Sequence, residues 1–158
     1  MTIGKIMSKK VFTVHESTPY KKLWEAIVKK SINAVPVVDA KRRLVGIVTR
    51  DDLLTILYPD QKEFIDAFTS GAAYEVMEEK VHELGNIKAK NVMATRVIFT
   101  RDTTPIMRAL SRMIARQVRQ LPVLDEKDRV IGMVTKGDIF MALFKGQISG
   151  KNTKKSKK

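Results

Sequence analysis

Shifted by 86 residues, this sequence lies over itself without a gap, and that duplication limits what the chain can fold into more than any other feature. VPVVDAKRRLVGIVTRDDLL (35–54) aligns with LPVLDEKDRVIGMVTKGDIF (121–140), and IMSKKVFTVHESTP (6–19) aligns with VMATRVIFTRDTTP (92–105). Unlike residues recur in register: Met7/Met93, Pro19/Pro105, Pro36/Pro122, Asp39/Asp125, Gly46/Gly132, Thr49/Thr135 and Asp52/Asp138. A repeat of this kind is one supersecondary unit built twice.

Each copy predicts the order β-α-β-β-α. Val11–Val14 and Val97–Thr100 are short runs of strand-forming residues. A proline suited to a first helical turn follows, at Pro19 and Pro105. The stripe Leu23, Trp24, Ile27, Val28 and its counterpart Met107, Leu110, Met113, Ile114 then have helical spacing. Val35–Val38 and Leu121–Leu124 are apolar throughout, which predicts strands covered on both faces. Hairpin turns lead to strands at Leu44–Thr49 and Val130–Thr135, and a last helix starts near Arg50 or Lys136. A unit this small has little core of its own. Two copies pairing across their sheets would give an α+β body with pseudo-twofold symmetry and two equivalent clefts. The expected organisation is repeat 1 at 1–57, a helical acidic inter-repeat segment at 58–90, repeat 2 at 91–144 and a disordered basic tail at 145–158. Pro59 is expected to stop the helix before the inter-repeat segment.

Composition narrows the chemistry. No cysteine is present, which excludes disulfides and thiolate metal sites and fits a cytoplasmic protein. No apolar run is long enough for a membrane span, and the N-terminus does not resemble a signal peptide. His15 and His82 lie far apart with no partner at ligand spacing, so no metal site is expected. No nucleophile–base motif or placed carboxylate pair suggests an enzyme. The formal charge is +13, and the last fourteen residues hold six lysines and no acidic residue. Such a balance attracts phosphate in any form.

The sharpest local feature is GIVTRDD (46–52) and its copy GMVTKGD (132–138). Each delivers a threonine at a strand end and an aspartate three residues later. Thr49 and Thr135 can cap the helix that begins there. Asp52 and Asp138 would lie one turn in, suited to a ribose diol, with the helix start suited to phosphate. Gly46 and Gly132 leave room for close backbone approach. The same Thr-x-x-Asp spacing is also a capping-box variant that serves structure alone. Residues alone leave both readings open.

The repeated pattern of two apolar residues, Pro, two apolar residues, Asp, and later Gly-h-h-Thr-x-x-Asp resembles the cystathionine-β-synthase (CBS) domain. Two in tandem resemble a CBS pair, or Bateman module, over residues 1–57 and 88–144. The resemblance implies a non-enzymatic regulatory module whose clefts bind AMP, ADP or ATP, with S-adenosylmethionine as a further candidate, and which forms a homodimer and controls a partner protein. It requires no cofactor beyond that ligand. By position, Thr135 and Asp138 would meet phosphate and ribose, with Met7, Phe12, Ile32 and Asn33 around the base. The mirror site would use Thr49 and Asp52 with Met93, Ile98, Val118 and Arg119. Arg119 against Asn33, and Gly137 against Asp51, predict two sites that differ in affinity or in preferred phosphate count. The competing reading is a nucleic-acid-binding or scaffold protein that uses the lysine-rich tail. No aromatic residue interleaves with those lysines to stack on bases.

Overall fold

The computed structural model describes the backbone of residues 1–57 and 61–152, and their side chains except at 61, 63, 64, 67, 73, 74, 76, 77 and 146–152. The chain divides into two compact units: Phe12–Val97 is one, and the other joins Met1–Val11 to the chain from Ile98 on.

In the Phe12–Val97 unit, β1 (Val14–His15) pairs parallel with β2 (Ala34–Val38), which pairs antiparallel with β3 (Leu44–Thr49). All five residues of β2 are buried, as its unbroken apolar run predicts. Between β1 and β2 runs α1 (Tyr20–Lys30), entered through Pro19 and closed by Ser31 in the left-handed region at φ 49°. Then come α2 (Arg50–Leu57), α3 (Gln61–Ser70), α4 (Ala73–Glu83) and the short α5 (Ala89–Val92). From Gln61 to Asn86 the inter-repeat segment carries α3, α4 and a short 3-10 turn, and it belongs to this unit. Leu84 joins its core beside Leu23, Ile27, Val35 and Leu53. Pro59 lies outside the described residues.

The second unit repeats the plan: β4 (Thr100–Arg101) is parallel to β5 (Gln120–Leu124), which is antiparallel to β6 (Val130–Thr135). Helix α6 (Ile106–Arg116) sits between β4 and β5 in sequence, and α7 (Lys136–Asn152) follows β6. The expected tail at 145–158 therefore begins as a continuation of α7 through Asn152, and 153–158 lie outside the described residues. The first strands are shorter and later than their apolar runs suggested.

The helical stripes also differ from expectation. Val28, Met107 and Ile114 are exposed. The buried faces are instead Tyr20, Leu23, Ala26 and Ile27 on α1, and Ile106, Ala109, Leu110 and Met113 on α6. Ala26 and Ala109 belong to the buried faces, and Val28 and Ile114 lie off them. Trp24 is partly buried against the core, as expected, and its Nε1 donates to the Tyr20 hydroxyl at 2.7 Å. That hydroxyl donates in turn to the Leu53 carbonyl at 2.5 Å. Burial raises the Tyr20 pKa against the opposing pull of Trp24.

Asp39 and Asp125 bind their own hairpins. Asp39 Oδ1 accepts the N–H groups of Lys41 and Arg43, and its Oδ2 accepts Arg43 Nε at 2.8 Å. Asp125 does the same with Lys127 and Arg129. Desolvation raises both pKa values, but the combined hydrogen bonds and the arginine charge outweigh it and hold them below the usual carboxylate range.

One buried strand position gains a hydroxyl in the second repeat. Thr100 stands where the first repeat has Val14, is fully buried, and its Oγ1 has no hydrogen-bond partner among the described residues. A desolvated, unpaired hydroxyl costs about 1–3 kcal/mol. Thr100→Val should therefore raise stability by about 1–2 kcal/mol in urea unfolding; an unchanged midpoint would show that the hydroxyl is already satisfied.

Most of the architecture follows from the repeat, but the lead-in segments do not stay with their own copy. Residues 1–11 pack on the sheet of the second repeat. Ile3 N–H donates to Thr104 O (2.9 Å), Gly4 N–H to Asp102 O (2.8 Å) and Ile106 N–H to Met1 O (3.1 Å). Ser8 and Met133 exchange two backbone bonds of 2.9 Å at the β6 edge. The second lead-in does the same for the first repeat. Ala89 N–H donates to Thr18 O, Tyr20 N–H to Ile87 O, and Ala94 exchanges bonds with Ile47. Each compact unit is thus a β-α-β-β-α body closed by the other copy's leader.

Candidate functional site

Strands β3 and β6 run into α2 and α7 with no intervening loop, which places Thr49 and Thr135 at the point where ladder becomes helix. The Thr49 N–H donates to Asp52 Oδ2 at 2.8 Å, and the Asp52 N–H donates to Thr49 Oγ1 at 3.1 Å. Thr135 and Asp138 reproduce both bonds at the same lengths. The capping box is therefore real in both copies and satisfies helix-start donors. It does not use up the carboxylates. Oδ1 of Asp52 and of Asp138 accepts no hydrogen bond from the described residues, and both side chains are partly buried. Two part-sheltered acceptors at positive helix ends remain available to a hydroxyl.

Each helix start has neighbours within its own unit. Asn33 O accepts the Arg50 N–H at 2.9 Å and Ala34 pairs with Thr49, which sets Asn33 beside Thr49. Arg119 O accepts the Lys136 N–H at 3.1 Å and Gln120 pairs with Thr135. The expectation that also groups Asn33 with Thr135, and Arg119 with Thr49, joins residues of different units. Antiparallel pairing fixes the strand before each Thr against the segment entering its own partner strand. The α7 start accordingly carries Arg119 and Lys136 beside Asp138, whereas the α2 start carries Arg50 with Asp51 and Asp52. Arg119 is exposed and forms no ion pair with the described residues.

The apolar candidates divide. Met7 and Met93 lie across the glycines of β6 and β3, the Met93 Sδ only 2.4 Å from where a Cβ on Gly46 would stand. The close approach that Gly46 and Gly132 permit is thus made by the protein's own methionines. Ile32 and Met93 pack beside the core of the Phe12–Val97 unit, and Met7, Ile98 and Val118 beside that of the other. Phe12 is 37% exposed, with Lys30 Nζ 4.9 Å from its ring centre. That cation–π contact gives Phe12 a role without any ligand.

One feature escaped the sequence reading. Asp138 lines a cavity of about 570 Å3 with Met1, Lys5, Ile6, Met141, Ala142 and Lys145, all of one unit. The signal was present in part, because Asp138, Met141, Ala142 and Lys145 follow helical spacing. The opposite wall, drawn from the first six residues, was not legible without the exchanged leader.

The sequence model of the CBS domain matches residues 3–59 and 89–145. A CBS domain-containing protein of Dictyostelium discoideum is 32% identical over 143 residues, covering 90% of this chain and 91% of that protein. Among solved structures, CBSX2 of Arabidopsis thaliana in complex with AMP aligns with a TM-score of 0.72 at 23% identity, over 92% of this chain and 98% of that one. The CBS domain pair of protein MJ0100, in complex with 5′-methylthioadenosine and S-adenosyl-L-methionine, aligns with a TM-score of 0.67 at 24% identity, over 93% and 98%. The chain belongs to the CBS-domain family. It carries the domain twice, as a tandem pair.

Proposed function

We propose that this CBS pair is a non-enzymatic regulatory module that binds an adenine nucleotide, AMP or ATP first, at the starts of α2 and α7. The observation that carries the reading is the half-used carboxylate: Asp52 and Asp138 each spend one oxygen on a threonine N–H and keep Oδ1 for a ribose hydroxyl. Threonine and the helix start take phosphate, helped at α7 by Arg119 and Lys136 and opposed at α2 by Asp51. Ile32, Asn33 and Met93 in one unit, and Met7, Ile98 and Val118 in the other, supply the surroundings of the base, with Phe12 as a further base contact. The solved CBS pairs with AMP and with S-adenosyl-L-methionine support this ligand class. The output is a change of shape or association, in a homodimer, that a partner protein reads. Among the described residues no helix is long and apolar enough to cross a membrane.

Isothermal calorimetry with AMP, ATP and S-adenosylmethionine tests the reading. Asp52→Asn and Asp138→Asn keep an acceptor for the cap but lose the charge offered to the diol. Charge-assisted hydrogen bonds contribute about 1.5–3 kcal/mol, so each variant should weaken its own site about tenfold or more. Wild-type protein that ignores every adenosine compound at millimolar concentration would sink the proposal.

A further inference from the structure

The two repeats carry different charge at the same end of their sheets. In the Phe12–Val97 unit that end gathers the hairpin 39–43, the exit of β1 and the start of α5. The backbone fixes their nearness: His15 pairs with Val38, and Glu16 O accepts the Lys90 N–H at 3.0 Å. Neighbouring strands lie about 5 Å apart, so these segments share one surface. Its exposed cations are Lys41, Arg42, Lys88 and Lys90, besides Arg43, whose charge is paired with Asp39. Lys41, Lys88 and Lys90 form no ion pair among the described residues. In the other unit the matching bond joins Gly4 N–H to Asp102 O. There Glu126, Asp128 and Gly4 stand in place of Ala40, Arg42 and Lys90, and Arg101, in place of His15, is tied to Asp128 at 2.8 Å.

Backbone conformation sharpens the contrast. Arg42 has φ 62° and Asp128 has φ 61°. Aspartate tolerates that left-handed region through its short polar side chain, whereas a long side chain enters it at a cost. The turn itself favours the second repeat's residue and does not account for the arginine.

We infer that this hairpin end of the Phe12–Val97 unit is a docking surface for the phosphate backbone of a nucleic acid. No large apolar side chain is exposed among residues 15–18, 39–43 and 88–91, so the surface has nothing to insert into a lipid layer. Lysines and an arginine spread over adjacent segments suit a chain of regularly spaced phosphates, which they hold without reading sequence. The start of α2 lies at the far end of β3, about 17 Å away, so this contact is separate from the nucleotide reading and does not rest on it.

The experiment measures binding of oligouridylate and of duplex DNA to the full chain across a salt series. Ala40→Glu/Arg42→Asp gives the first hairpin the charges of the second, and Lys88→Gln/Lys90→Gln removes the neighbouring pair. Ala115→Glu/Arg116→Glu, exposed on α6, makes the same net charge change as the hairpin variant. The lysine-rich tail is common to all. The hairpin variant should weaken both nucleic acids about tenfold and lower the slope of log Kd against log salt by about one per lost phosphate contact. The lysine-pair variant should also weaken both, the α6 variant should stay close to wild type, and the reciprocal exchange Glu126→Ala/Asp128→Arg should tighten binding. Urea midpoints report folding, and a hairpin variant that fails to fold leaves the lysine pair and the reciprocal exchange to decide. Equal losses in the α6 variant, no loss in either patch variant, or wild type that binds neither nucleic acid would overturn the surface. So would a hairpin variant that loses binding to phosphatidylserine vesicles and keeps its binding to RNA.

Discussion

Removal of residues 1–11 should unfold the unit that begins at Ile98 and leave Phe12–Val97 folded. The leader contributes Ile3, fully buried in the core with Leu110, Met113, Leu121 and Ile139. Truncating a buried isoleucine alone costs about 2–5 kcal/mol. The five backbone bonds of Met1, Ile3, Gly4 and Ser8 add about 0.5–1.5 kcal/mol each. Together these approach the 5–15 kcal/mol that holds a typical domain folded. Amide exchange in the truncated chain should lose protection across β5, β6 and α6 while β2 and β3 keep theirs. The single change Ile3→Ala should lower stability by about 2–5 kcal/mol without selective loss of the first repeat. Unchanged exchange in β5 and β6 after truncation would refute the exchanged-leader account.

The second large effect lies where each leader crosses its sheet. A Cβ on Gly46 would stand 2.4 Å from Met93 Sδ and 3.1 Å from Ala94 O, and a Cβ on Gly132 would stand 2.6 Å from Met7 Sδ and 3.0 Å from Ser8 O. The thioethers can swing aside, but the carbonyls are held by the bonds of Ala94 to Ile47 and of Ser8 to Met133. Gly46→Ala and Gly132→Ala should each cost about 1–3 kcal/mol, as overpacking does. Met93→Ala should be less damaging beside Gly46→Ala than in wild type, because it vacates the space the new methyl needs. A double-mutant cycle reads that coupling, and strict additivity would show that the contact is not what excludes a side chain.

Strands β2, β3, β5 and β6 were legible because their apolar runs are unbroken and their hairpins are short. The Thr-Asp caps were legible because local spacing alone makes them. Which sheet receives Met7 or Met93 was not. Periodicity describes a segment's own faces, and nothing in IMSKK distinguishes pairing with β3 from pairing with β6. The glycine opposite each methionine carried a hint, since a strand interior without a side chain marks a close approach. Val28 and Ile114 misled because an apolar residue at helical spacing need not face inward: Ala26 and Ala109 are on the buried faces and these two are exposed. That Asn33 and Arg119 each also lie beside the threonine of their own repeat follows from the antiparallel register, which family positions do not convey.

Synthesis from the N-terminus gives the swapped leaders a temporal consequence. The Phe12–Val97 unit is complete once Val97 has emerged, whereas Met1–Val11 must wait for β6, which ends at Thr135. At roughly 5–20 residues per second that interval is on the order of ten seconds. During it residues 1–11, with Ile3 and Ile6 uncovered, have no native sheet edge to join.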